Sequence, residues 1–263
     1  MMNITNYTLF AIVLTLTIGT SHGLQVEGLS NKQRCRQQMN NTDTCLRKLL
    51  LYKDDNGWSI PRTELALELT YCSTIRETFD CVKAYQPCLK RVPKQIYCLV
   101  ITNVKNMMKE ICTSPQGRRT MLRHLRCIKN ENIAEFHRIL DLGAEMSYHI
   151  LEQVAPRDII PWACCSYHTV LDEGIRELNK LCTNSTTHYI LNLIKQVVAE
   201  TVELGCGQRY ATMQMCRQYM PEVGTVFGQV KSEYDTGVRP KKNQSPVIPV
   251  IKLARKLGNE NLD

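Results

Sequence analysis

The sequence predicts an all-α fold: a disulfide-stapled helical bundle built from two repeated modules and followed by a flexible tail. Three observations carry this. The thirteen cysteines of the 263-residue chain fall into two matching series. Apolar residues recur at helical spacing along most of its length, and no run of period-two alternation is long enough to build a sheet. In the first series Cys35, Cys72, Cys88 and Cys112 are 37, 16 and 24 positions apart; in the second Cys127, Cys164, Cys182 and Cys206 are 37, 18 and 24 apart. Agreement of that kind points to a duplicated module fastened by disulfides, which persist in oxidising compartments.

The elements follow in order. Leu9 to Gly19 is an apolar run of 11 residues, and Ser21-His22-Gly23 behind it suits a signal-peptidase site, so residues 1–23 read as a signal peptide. The run is too short for a membrane span, which needs about 20 apolar residues. Module one is expected over 30–115. Its first helix spans Lys32 to Lys53 and is stopped by Asp54-Asp55-Asn56-Gly57. Pro61-Arg62-Thr63-Glu64 starts a second helix running through Leu65, Leu67, Leu69 and Ile75 towards Cys81 or Tyr85. A Pro93-led third helix turns Leu99, Val100, Val104, Met107 and Met108 inward. Module two, expected over 116–223, repeats the plan with Glu131 to Gln153, Cys165 to Lys180 and Thr187 to Leu204, and Gly205 lies just past the last helix. Four Phe and two Trp against abundant Leu, Ile, Val and Met predict an aliphatic core.

Residues 224–263 hold no cysteine and read as a flexible basic tail, with the polar, Pro-interrupted stretch Arg239 to Pro246 as a linker and Lys241-Lys242 as a candidate processing site. Ile248 to Leu257 has the pattern of a short amphipathic helix that docks on the core, stays disordered or touches a membrane.

The remaining cysteines constrain pairing. Adding 92 to Cys45 and Cys81 lands on His137 and Glu173, so both lack counterparts in the second series. Two positions absent together point to one bridge, Cys45–Cys81. Pairing is otherwise expected within each series, with Cys165–Cys216 tying back the C-terminal segment. Four cysteines allow three pairings, so the connectivity inside each series stays open. Cys98 has no counterpart and is either a free buried thiol or the site of a disulfide-linked dimer.

Enzymatic signals are thin. Cys164-Cys165-Ser166-Tyr167-His168 resembles the CCxxH helix of secreted phospholipases A2, whose His is a general base. The next residue, a calcium-binding Asp in that family, is Thr169 here, the cysteine expected three residues after the His is Leu171, and Arg157 to Trp162 stands where a Gly-rich calcium loop belongs. Without oxygen ligands a hard cation has no site, and His168 reads as a surface or packing residue. There is no HExxH, GxSxG or Gly-rich phosphate loop, and His124, His137, His149 and His188 are scattered. No catalytic, cofactor-binding or metal-binding residue is therefore assigned. Cys35-x9-Cys45, Cys88-x9-Cys98 and Cys206-x9-Cys216 share the spacing of mitochondrial twin CX9C hairpins, but the leader argues against that compartment.

The ordered series Cys35…Cys45-Leu46…Tyr52-Lys53-Asp54, Cys72…Asp80-Cys81-Val82-Lys83-Ala84-Tyr85…Cys88, Cys112, Leu122 to Ile128 and Cys164-Cys165-Ser166-Tyr167 resembles a group of arthropod secreted cysteine-rich helical proteins. That group is related to the centipede group 11 scoloptoxins and, more distantly, to insect 27 kDa haemolymph glycoproteins. The resemblance spans residues 30 to 216 and implies a helical, secreted protein of a group with no established activity; with the enzymatic motifs set aside, a non-enzymatic protein is expected. Two functional classes follow. One is extracellular recognition, including a venom component directed at a membrane protein such as an ion channel. The other is a carrier of a small apolar ligand, with Met107, Met108, Met121 and Met146 lining a cavity. A net charge of +8 fits a soluble basic secreted protein, and neither a nucleic-acid partner nor a membrane span is expected. Asn40, Asn184 and Asn243 head N-glycosylation sequons, the last weakened by Pro246.

Overall fold

The computed structural model describes residues 30–49, 61–73, 75–238, 244–245 and 247–258. The leader, the Asp54 to Gly57 turn, Lys241-Lys242 and Asn243 lie outside them. The described residues form helices and no strand: α1 (Asn31–Leu49), α2 (Glu64–Ala66) continued by a π turn (Leu67–Cys72), α3 (Ile75–Lys83), α4 (Arg91–Thr113), α5 (Pro115–Leu125), α6 (Ile133–Gln153), α7 (Ile159–Leu181), α8 (Asn184–Cys206), α9 (Met220–Asp235) and α10 (Val247–Leu257).

Local chemistry sets the helix starts. Thr63 accepts from the backbone N–H of Ala66 at 3.1 Å, Ser114 from Gly117 at 2.9 Å and Thr183 from Thr186 at 3.4 Å, so α2, α5 and α8 each begin behind a hydroxyl cap. Pro115 occupies the first position of α5, where its missing N–H costs nothing. Along α4 the buried stripe is Pro93, Tyr97, Ile101, Val104, Met108 and Ile111, a spacing of three and four that keeps one face inward. The corner into α5 is tight: a Cβ on Gly117 would stand 2.5 Å from the Glu110 carbonyl oxygen, so only glycine lets the two helices approach this closely.

Residues 1–37 and 38–263 are two compact units. In the first, the described part is the opening of α1, where Ser30 N donates to Gln33 Oε1 and Gln33 N to Ser30 Oγ, a reciprocal cap. The second holds three apolar clusters. One joins Leu46, Leu67, Phe79, Val82 and the α4 stripe to Ile248 and Ile251 of α10; another joins Leu142, Met146 and Ile150 of α6 to Trp162, Val223, Phe227 and Val230; a third is Ile128, Leu178 and Ile190. Helix α6 packs on α7 and α10, and α4 packs on α8 and α5. The expected module boundary at 115/116 falls in the first turn of α5, and the α4–α8 packing runs across it.

The bridges include Cys45–Cys81 and Cys165–Cys216, with Cα–Cα distances of 6.4 and 5.6 Å. Cys72–Cys112 and Cys164–Cys206 each join the second and fourth members of their series, and Cys127–Cys182 joins the first and third of the second series. Cys35 and Cys88 are disulfide-bonded as well. Cys98 is free and half-buried on α4.

Four expectations are corrected. The helix after Pro61 does not run unbroken to Cys81 or Tyr85: it widens into the π turn and restarts at Ile75, which places Leu67 and Tyr71 in the core. Helix α8 ends not before Gly205 but at Cys206, capped by Gly207, whose φ of +53° is a conformation open to glycine and strained for other residues. Gly207→Ala is expected to cost about 1 kcal/mol in urea unfolding although nothing lies within 4 Å of the added methyl. The core is not simply aliphatic, because Tyr71, Tyr85, Tyr97, Tyr148 and Tyr210 are buried in it.

The fourth correction concerns the tail. The 223/224 boundary falls inside α9, whose Val223, Phe227 and Val230 are buried. Helix α10 follows the docking alternative expected for Ile248 to Leu257, through Ile248, Ile251, Leu253 and Ala254, with Ser245 N donating to Asp43 Oδ1 at 2.7 Å and Lys256 Nζ to the Leu151 carbonyl at 2.6 Å. Apolar residues three and four apart outweigh the basic, Pro-interrupted composition between the two helices.

Candidate functional site

Three places combine polar chemistry with tertiary structure. The first is the Cys164–His168 segment of α7. Both adjacent cysteines are consumed by bridges, Cys164 to Cys206 and Cys165 to Cys216. His168 Nε2 lies 3.0 Å from the Tyr210 carbonyl oxygen and donates to it. Thr169, where the calcium-binding carboxylate would stand in a phospholipase, donates its hydroxyl to the Cys165 carbonyl at 3.0 Å. Tyr210 packs edge-on against Tyr219 with ring centroids 6.0 Å apart, and the Arg209 guanidinium lies 5.7 Å from the Tyr210 ring centre. The His168–Tyr210 hydrogen bond holds the segment after α8 onto α7.

The second is an ionic network among α6, α7 and α9. Glu173, 3% exposed, receives Lys231 Nζ at 2.5 Å and Arg176 at 2.6 Å. Arg138 Nε and Nη2 donate to Asp235 at 2.9 and 2.7 Å, and Tyr234 Oη donates to Asp141 Oδ2 at 2.8 Å. Burial pushes the Glu173 carboxyl up, but the cations of Lys231, Arg176 and Arg138 outweigh it and hold its pKa below the ordinary carboxylate value. Burial and the Asp141 carboxylate raise the Tyr234 phenol. The network fastens α6, α7 and α9 to one another.

The third is a cleft of about 270 Å³ between α6 and α9, lined by His149, Glu152, Gln153, Val226, Gln229, Val230 and Glu233. Ligand pockets usually begin at about 300 Å³ and are mostly apolar, whereas this one is shallow and carries two carboxylates. The His149 ring stacks on Trp162 with centroids 5.7 Å apart, and Gln229 Nε2 donates to Glu233 Oε1 at 2.7 Å.

The remaining residues singled out by sequence are dispersed. Met108, Met121 and Met146 are buried in the apolar clusters and Met107 packs against one of them, so all four fill core space. His124 stacks on Tyr189 at 4.3 Å and lies 3.2 Å from Thr186 Oγ1. His137 is buried on α6 and His188 exposed on α8. Asn40 and Asn184 are exposed, while Thr42 and Thr186 of the same sequons are buried. No group of three or more His, Cys, Asp and Glu able to hold a metal ion occurs among the described residues, and no described helix is long and apolar enough to cross a membrane.

Sequence reasoning reached His168 and the cysteines, but it missed Tyr210, Lys231 and the α6–α9 cleft. Glu173 was marked only as a missing cysteine; a carboxylate inside the apolar pattern of α7 was the available signal. No protein-family model matches the chain, and no curated protein or solved structure shows significant similarity to it.

Proposed function

We propose that this is a secreted protein that acts by extracellular recognition and not by catalysis. The observation that carries the reading is the density of bridges. Twelve cysteines are bonded, and bridges join α1 to α3, the π turn to α4 and α7 to α8. Bridges in such number persist in oxidising surroundings, and a stapled scaffold loses little conformational freedom when its surface meets a partner. The carrier reading has no observation in its favour, because its methionines fill the core. Within recognition, the resemblance carried by the cysteine series suggests two settings: a body-fluid protein, or a venom component acting on a membrane protein such as an ion channel.

Expressed with its own leader in secretory cells, the protein is expected in the medium with an intact mass 12 Da below that of the fully reduced chain, one hydrogen for each bonded cysteine. Retention in the cell as reduced protein contradicts secretion. A mass that doubles without reductant assigns Cys98 to a dimer. Voltage-clamp recording from cells expressing a panel of channels tests the target: inert behaviour across the panel removes the channel reading and leaves recognition of another extracellular protein.

A further inference from the structure

The two bridges at Cys164 and Cys165 do more than staple α7. Their partners, Cys206 and Cys216, are the two ends of one loop, so the loop is anchored at both ends to consecutive residues of a single helix. Its ends cannot separate. Inside the ring, Met215 N donates to the Thr212 carbonyl at 3.0 Å and Cys216 N to the Met213 carbonyl at 3.1 Å. Tyr210 is its buried anchor, and His168 holds the Tyr210 carbonyl. Every other residue from 207 to 215 is exposed, although the two cysteines at its foot are half-buried and fully buried.

What the loop exposes is not ordinary solvated surface. Met215 is 51% exposed, Met213 36% and the preceding Leu204 68%. Exposed thioethers are adaptable contact groups, and Met and Arg are enriched where proteins meet. From residue 204 to residue 221 the chain has no Asp or Glu, while Arg209 and Arg217 are both exposed. A covalently closed, internally hydrogen-bonded loop has already lost the freedom that binding would otherwise remove.

We propose that the Cys206–Cys216 loop is the contact surface through which this protein recognises another extracellular protein, and that the partner presents carboxylates around an apolar recess. This rests on the recognition reading and adds its location and chemistry: Arg209 and Arg217 meet the carboxylates, and Met213 and Met215 enter the recess. The charge pairs steer encounter and set orientation, and the thioethers are buried in the complex.

The test is selection from a random linear peptide library on the immobilised, fully oxidised protein, followed by anisotropy titration of the selected peptides. Acidic peptides with apolar centres are expected. Their binding is expected to weaken at least about tenfold in an Arg209→Glu, Met215→Ser variant, the scale of losing interface anchors, and to weaken with added salt. Both side chains are exposed, so helicity by circular dichroism should match the wild type; a double Arg209→Lys, Met215→Leu variant keeps charge and bulk and should bind nearly as well. Peptides that bind wild type and the Glu/Ser variant equally overturn the loop while leaving recognition elsewhere on the protein intact. No enriched peptide overturns both. Loop-dependent binding to vesicles of phosphatidylserine and phosphatidylcholine, with no acidic peptide recovered, replaces the protein partner with a lipid surface and overturns the proposal.

Discussion

Replacing Cys165 and Cys216 together by alanine is expected to destabilise the protein by about 3 kcal/mol. Cys164–Cys206 remains, so the loop released in the unfolded chain is the short stretch between Cys206 and Cys216, and closing a loop of that size is worth about 3 kcal/mol. Both half-cystines are fully buried, so the native state also loses packed sulfur in the cluster that holds Trp162, Val223 and Phe227. Urea unfolding of the oxidised variant beside wild type measures the loss, with the slope against denaturant checked for a less compact unfolded state. A loss under about 1 kcal/mol would mean that residual structure already restrains the unfolded chain. The Cys164–Cys206 bridge remains in this variant, so the loop keeps one anchor. Its peptide binding should fall even at denaturant-free stability sufficient to keep every helix folded.

The Cys45–Cys81 bridge is legible because cysteine leaves a mark that spacing can read: its two positions have no cysteine counterpart at His137 and Glu173. The helices were legible for the same kind of reason where their apolar stripes are long, as on α4 and α6. Legibility failed where a contact depends on residues far apart in sequence. Helices α9 and α10 lie beyond the last cysteine, span 16 and 11 residues, and are separated by a basic linker whose composition resembles disorder. Their apolar faces gain meaning only from α4, α6 and α7, on which they pack. Lys231 meets Glu173 across 58 positions, and Asp235 meets Arg138 across 97. The clamped loop was hidden likewise. Cys165–Cys216 was expected as a tether for the C-terminal segment, but the loop closes only because Cys164 takes Cys206, a choice among three pairings that spacing does not make.

Glu173 fastens α7 to α9 by an ion pair and not by a bridge. In the cysteine register it stands at the position of Cys81, which in the first series is bonded to Cys45 of α1. On α7 Glu173 is a buried carboxylate held by Lys231 of α9 and by Arg176. Lys231→Met is expected to cost about 2–3 kcal/mol at neutral pH. That is less than the cost of breaking a fully buried pair, because Arg176 remains on the carboxylate and Lys231 keeps 36% of its side chain in solvent. The sign of the pH dependence is fixed by the depressed Glu173 pKa. Its contribution is complete above the ordinary carboxylate value of 4.5 and is lost as pH falls through the lower folded value. A protonated Glu173 no longer needs an ammonium, so the stabilities of wild type and Lys231→Met should converge on acidification below about pH 4.5. Lys231→Arg, which retains the charge, should stay close to wild type throughout. A deficit in Lys231→Met that is the same at pH 7 and below pH 4 would assign the loss to packing of the lysine stem and remove the ion pair as the fastening of α9 to α7.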